Sequence, residues 1–231
     1  MPHTMITAHS GCEGTPDNSL ESIERGAALG ADCVEVDVRL DPAGRLILSH
    51  DHPEDGAEPV PLERAFSVLL GTNAGINCDL KESAALVPVL ELAEALRFPR
   101  ERLFFSGAVE IAALRRDPEL ARRGRILLNS EVLVRCLAPE LPDDRAAQQA
   151  FLSEQTDAAT ELIRSLGAEG LNAPYRYMPK ILIAALRERG VRMSLWTVNE
   201  EAALRDLLAE GLFNLTTRTV RTALRLREES R

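Results

Sequence analysis

Short β-rich runs alternate with amphipathic helical stretches along the chain, and that alternation narrows the possible folds more than any single motif. Strands are predicted at Met5–His9, at Cys33–Arg39 with a companion at Arg45–Ser49, and then at Ile76–Leu80, Leu103–Ser106, Arg125–Asn129, Gly170–Asn172, Arg192–Thr197 and Phe213–Thr216. Eight helical patterns fall between them, from Ser19–Leu29 to Val220–Arg227, with Ala146–Leu166 the longest. Asn18, followed three residues later by Glu21, suits a helix start, and Gly30, Gly190 and Gly211 fall where helices should stop. This repetition predicts an α/β fold, a closed (β/α)8 TIM barrel rather than an open sheet. Such barrels typically take ~250 residues. A chain of 231 residues is therefore read as a single barrel domain, residues 1–231, with minimal insertions.

Composition removes several classes of function. Lys and Arg number 27 against 36 Asp and Glu, a net charge of −9, so no nucleic-acid partner is expected. The longest apolar stretch, Ile181 to Leu186, is far shorter than the ~18–20 residues of a membrane helix, and no stable membrane insertion is expected. The opening residues carry no basic patch followed by a long apolar run, which suggests a cytoplasmic location. Cys12, Cys33, Cys78 and Cys136 form no CxxC pair. Neither a structural zinc site nor a disulfide framework is expected, only reduced thiols.

In a barrel, reactive side chains gather at the C-terminal ends of the strands. Those ends are unusually polar here: His9, Glu35 and Asp37, His50-Asp51, Asp79-Leu80-Lys81, Ser106, Asn129, Asn172, Trp196 and Thr216. The sharpest local feature is Glu35-Val36-Asp37. Residues i and i+2 share one face of a strand, so both acids should face the barrel interior while the valines face the helices. Buried unpaired carboxylates are costly, which makes a hard cation such as Mg²⁺ or Ca²⁺ their natural partner; a salt bridge to Arg39 or Lys81 is the other way to satisfy them. His9 and His50 each close a strand, and two imidazoles in one mouth can supply the base and the acid of a hydrolysis. His3 and His52 read as surface or loop residues.

Taken together, these stretches resemble the glycerophosphodiester phosphodiesterase family. The residues that carry the resemblance are His9-Ser10-Gly11, Pro16-Asp17-Asn18-Ser19-Leu20, Gly30-Ala31-Asp32-Cys33-Val34-Glu35-Val36-Asp37-Val38, Ser49-His50-Asp51, Asp79-Leu80-Lys81 and Leu195-Trp196-Thr197-Val198-Asn199. The resemblance implies a barrel that hydrolyses a small-molecule glycerophosphodiester with one divalent cation, Mg²⁺ or Ca²⁺, in lipid metabolism. It implies acid–base roles for His9 and His50, metal ligation by Glu35, Asp37 and Asp79, phosphate binding by Lys81, and an aromatic pocket wall at Trp196.

The sequence also departs from that pattern. Ser10 stands where the family carries an arginine, so a rigid phosphate fork is missing from that position and Ser10 is left as the expected substrate contact. Arg176 or Arg218, from later loops, could restore such a fork, and Ser10→Arg is expected to raise turnover. Asp17 and Asp79 are each one methylene shorter than the family's glutamates. The family's usual insertion after His-Asp is absent or minimal, with only Pro53 to Pro61 before the next helix. Two alternatives therefore stand beside hydrolysis: a weak or inactive barrel that binds a phosphorylated small molecule, and a lyase that releases a cyclic phosphate.

Overall fold

In the computed structural model, which describes residues 3–54 and 56–230, strands and helices alternate in the order that the sequence pattern predicts. The strands are β1 (Met5–Ala8), β2 (Cys33–Leu40), β3 (Leu46–Leu48), β4 (Gly75–Leu80), β5 (Leu103–Gly107), β6 (Arg125–Asn129), β7 (Gly170–Pro174), β8 (Met193–Trp196) and β9 (Asn214–Thr217). Each of β1, β2 and β4 to β9 pairs in parallel with its neighbours, and β1 pairs with both β9 and β2, which closes the ring. β3 lies outside that ring, antiparallel against β2. It is the companion strand of the sequence analysis, and its return brings His50 back to the end of β2.

Strand alternation grades the barrel interior from floor to mouth. Val34, Val36 and Val38 turn outward into the layer between strands and helices. The inward positions climb from apolar to polar: Cys33, Glu35, Asp37 on β2; Phe104, Ser106 on β5; Leu127, Asn129 on β6. Cys33, Phe104 and Leu127, with Met5 and Phe213, form a separate apolar plug at the floor. The fold thus seals one end with packing and leaves the other end to chemistry.

Three local features differ from the sequence pattern. Ser19, rather than Asn18, caps the helix Leu20–Ala28 by accepting from the Ser22 N–H at 3.1 Å. The long stretch predicted as one helix divides at Gln155 into Arg145–Glu154 and Thr156–Ser165, because Gln155 leaves helical geometry (ψ 35°). A helix absent from the sequence reading, Ser130–Leu137, follows β6 directly. The described cysteines are all free thiols. No helix among the described residues is long and apolar enough to cross a membrane.

Candidate active site

A cavity of about 550 Å³ opens at the mouth, lined by His9, Glu35, Asp37, His50, Asp79, Lys81, Trp196 and Arg218, among others. Neighbouring strands supply its acidic centre. Asp37 on β2 is in register with Asp79 on β4, and Glu35 lies two residues below Asp37. One carboxylate oxygen from each of Glu35, Asp37 and Asp79 lies within 4.8 Å of the others. Glu35 and Asp37 are only 5% and 6% exposed.

Lys81 is the counter-charge: Nζ stands 2.7 Å from Asp37 Oδ1 and 2.6 Å from Asp79 Oδ2. Burial opposes ionisation of both Asp37 and Lys81, yet their attraction wins. The Asp37 carboxyl lies below its usual range, helped by Asn18, and the Lys81 ammonium lies above its own. Glu35 lacks that relief. Burial, then repulsion from Asp37 and Asp79, pushes its carboxyl well up. With all three carboxyls ionised, three carboxylates less one ammonium leave a formal charge of −2 (3 − 1 = 2) at the cavity. A divalent, oxygen-preferring cation fits that remainder. Asn77 adds to the fit: its Nδ2 donates to Ser106 Oγ, Ser106 Oγ donates to Asp79 Oδ1, and Asn77 Oδ1 stays buried without a hydrogen-bond partner among the described residues.

The two mouth histidines sit in different surroundings. His9 Nδ1 lies 2.8 Å from the Ser10 carbonyl, so it donates there and leaves Nε2 with its lone pair. Burial chiefly lowers its pKa, favouring the neutral ring. His50 is exposed, with Nδ1 3.1 Å from Asp51 Oδ1. His3 and His52 lie outside the cavity; His52 meets Arg39 at 3.4 Å.

Ser10 does not reach the cavity as the sequence analysis expected. It is 1% exposed; its N–H donates to Glu35 Oε2 at 3.0 Å and its Oγ accepts from the Asn18 N–H. It braces the Glu35 carboxylate from behind, and an arginine there would displace Asn18. Ser10→Arg is therefore expected to disrupt the site rather than raise turnover. Asn18, expected only as a helix start, holds Asp37 from behind the cavity, and several cavity residues have no assigned role in the sequence analysis: Ser106 beneath Asp79, and Glu131, Val132 and Arg135 from the helix Ser130–Leu137. Of the two later arginines, Arg218 lines the cavity, whereas Arg176 lies outside it and pairs with Glu200.

Comparison with known proteins gives a consistent answer. The profile of the Glycerophosphoryl diester phosphodiesterase family matches residues 9–61, the segment that carries both histidines and the Glu35–Asp37 pair. A glycerophosphodiester phosphodiesterase of Bacillus subtilis (strain 168) is 28% identical over 250 aligned residues, spanning 94% of this chain and 84% of the relative. The chain is similar to glycerophosphodiester phosphodiesterases over nearly its whole length. Solved structures share the barrel fold end to end. A glycerophosphodiester phosphodiesterase of Parabacteroides distasonis superposes with a TM-score of 0.74 at 17% identity, covering 100% of this chain and 99% of the other. An Oleispira antarctica phosphodiesterase in complex with the product sn-glycerol-3-phosphate gives 0.73 at 19% identity, covering 97% and 96%.

Proposed function

We propose that this chain is a member of the glycerophosphodiester phosphodiesterase family and hydrolyses a glycerophosphodiester-like small molecule with one bound Mg²⁺ or Ca²⁺ and a pair of histidines. The observation that carries the reading is the Glu35, Asp37 and Asp79 cluster in one cavity with His9 and His50. Glu35, Asp37 and Asp79 would hold the cation, with Asn77 Oδ1 as a further oxygen nearby. When bound, the cation would supply Lewis-acid stabilisation of the charge that builds on the phosphoryl oxygens. Lys81 contributes positive charge beside those oxygens.

His9 fits the general base: its Nδ1–H is committed to the Ser10 carbonyl, and burial keeps the ring neutral, so Nε2 can take a proton from the attacking water. His50, open to solvent and beside Asp51, can protonate the departing alkoxide. Trp196 offers a flat apolar wall for the alcohol portion. Glycerophosphodiesters are what remains of phospholipids after deacylation, which would give the reaction a place in lipid metabolism.

Phosphorus NMR of glycerophosphocholine incubated with the protein and Mg²⁺ tests the reading. A phosphomonoester resonance is the expected product. A cyclic phosphate would replace hydrolysis by a lyase reaction, and an unchanged diester would overturn the enzymatic reading.

A further inference from the structure

We propose that Arg218 is the guanidinium that grips the phosphoryl oxygens in this cavity, and that Asp17 is the positioning residue that holds it there. The inference rests on the phosphodiester reading above, because it concerns how the same site holds its anion. Lys81 is the nearer cation, but its ammonium already serves Asp37 and Asp79, at 2.7 and 2.6 Å. A phosphoryl group entering the cavity therefore needs another donor.

Arg218 has the donors to spare. Its Nη1 stands 2.9 Å from Asp17 Oδ1 and its Nη2 donates to Asp17 Oδ2 at 3.2 Å, a parallel fork. A guanidinium carries five N–H groups, so about three remain for a second anion. The pair is packed on bare backbone. A Cβ added at Gly11 (φ 75°) would fall 1.9 Å from Asp17 Oδ1 and 2.7 Å from Arg218 Nη1, so only glycine leaves room for the fork. The Arg218 main chain is fixed from both sides: its N–H donates to Asn199 Oδ1 at 2.8 Å and its carbonyl accepts from the Glu13 N–H at 2.8 Å. This brings a guanidinium from the turn after β9 to a point beside Gly11, one residue beyond Ser10. It enters from the neighbouring strand instead of from position 10, whose side chain is buried.

Both partners keep substantial solvent exposure, 40% for Arg218 and 55% for Asp17. An open ion pair of this kind contributes little to stability, so variants should stay folded. Binding of inorganic phosphate and of sn-glycerol 3-phosphate can be followed by the emission of Trp196, the sole tryptophan, which lines the same cavity. With no divalent cation added, Arg218→Gln should weaken phosphate binding about 10–100-fold at unchanged Tm, and in the Mg²⁺-supplemented reaction it should raise KM more than it lowers kcat. Arg218→Lys should recover only part of the loss, because a point charge cannot bridge two oxygens. Asp17→Ala should weaken binding several-fold in the native background and have no further effect beside Arg218→Gln, as positioning requires. Phosphate binding by a folded Arg218→Gln protein at native strength would overturn the proposal. If the wild type leaves the diester intact, the reaction fails while the phosphate titration still decides the role of Arg218. If the diester is cleaved and Arg218→Gln alters neither phosphate binding nor KM, the clamp fails and the reaction stands.

Discussion

Asn18 holds Asp37 with both ends of its carboxamide: Nδ2 donates to Asp37 Oδ2 at 2.8 Å, and Oδ1 accepts from the Asp37 N–H at 3.0 Å. Its φ of 53° places it in the left-handed region, which asparagine tolerates better than most residues. Supporting groups of this kind are typically worth ~10–100-fold in metal affinity. Asn18→Ala should therefore weaken Mg²⁺ binding in that range, as measured by calorimetry, and Asn18→Gly should do the same while keeping the backbone conformation. Native affinity in both would mean that Lys81 alone fixes Asp37. His9 and His52 make a second contrast. His9→Ala should lower turnover ~10²–10⁴-fold, whereas His52→Ala should leave it nearly unchanged, since His52 contacts Arg39 outside the cavity. Equal rates in the two variants would remove His9 from proton transfer.

The helix Leu20–Ala28 must lie almost on β1 to set His9 and Ser10 in place, and Gly26 is what permits the approach. A Cβ there would fall 2.7 Å from Ala8 Cβ and 3.2 Å from Val34 Cγ2. Alanine would gain ~1 kcal/mol of helix propensity, but overpacking a tight core typically costs ~1–3 kcal/mol. The clash should win. Gly26→Ala is expected to lower the thermal midpoint by several degrees, at ~2–4 °C per kcal/mol in a chain of this size, and a higher midpoint would show that helix and strand can separate cheaply. Elements of this kind were legible in the sequence to different degrees. The period-2 run at Cys33 to Val38 announced both the inward acids and their strand, because a polar residue is conspicuous at a buried position. Asn18 reads as a helix cap in the sequence because cap and site share the same local chemistry, and only the fold shows its carboxamide turned to Asp37. Ser130–Leu137 escaped notice for a different reason: Val132 and Val134 weaken its helix signal, and it forms by packing Leu133 and Val134 against the barrel.

Across the whole molecule, stability and chemistry occupy opposite ends of the barrel. At the floor, Arg125 at the start of β6 lies 4.5 Å over the Phe104 ring and 5.4 Å over Phe213, and Arg192, just before β8, lies 5.3 Å over Phe213. Glu169 joins the two arginines: Arg125 donates to it through Nε at 3.1 Å and Nη2 at 2.9 Å, and Arg192 donates through Nη1. Burial alone would raise the Glu169 pKa, but the two guanidiniums more than reverse it and hold the carboxyl below its ordinary 4.5. A carboxyl depressed in the folded state contributes stability above its unfolded pKa and loses that contribution as pH falls through the folded value. Glu169→Gln should therefore cost about 1–2 kcal/mol at neutral pH, the low end for hydrogen bonds to charged groups because Arg192 is half exposed. The difference from the native protein should shrink as pH drops below about 4.5, where the unfolded native chain takes up its proton first. Because the exchange lies at the end of the barrel away from the acidic cavity, turnover measured well below the unfolding temperature should not change. A stability gap of the same size at pH 4 and pH 7 would show that the floor is held by shape alone, and a fall in turnover would show that the two ends are not independent.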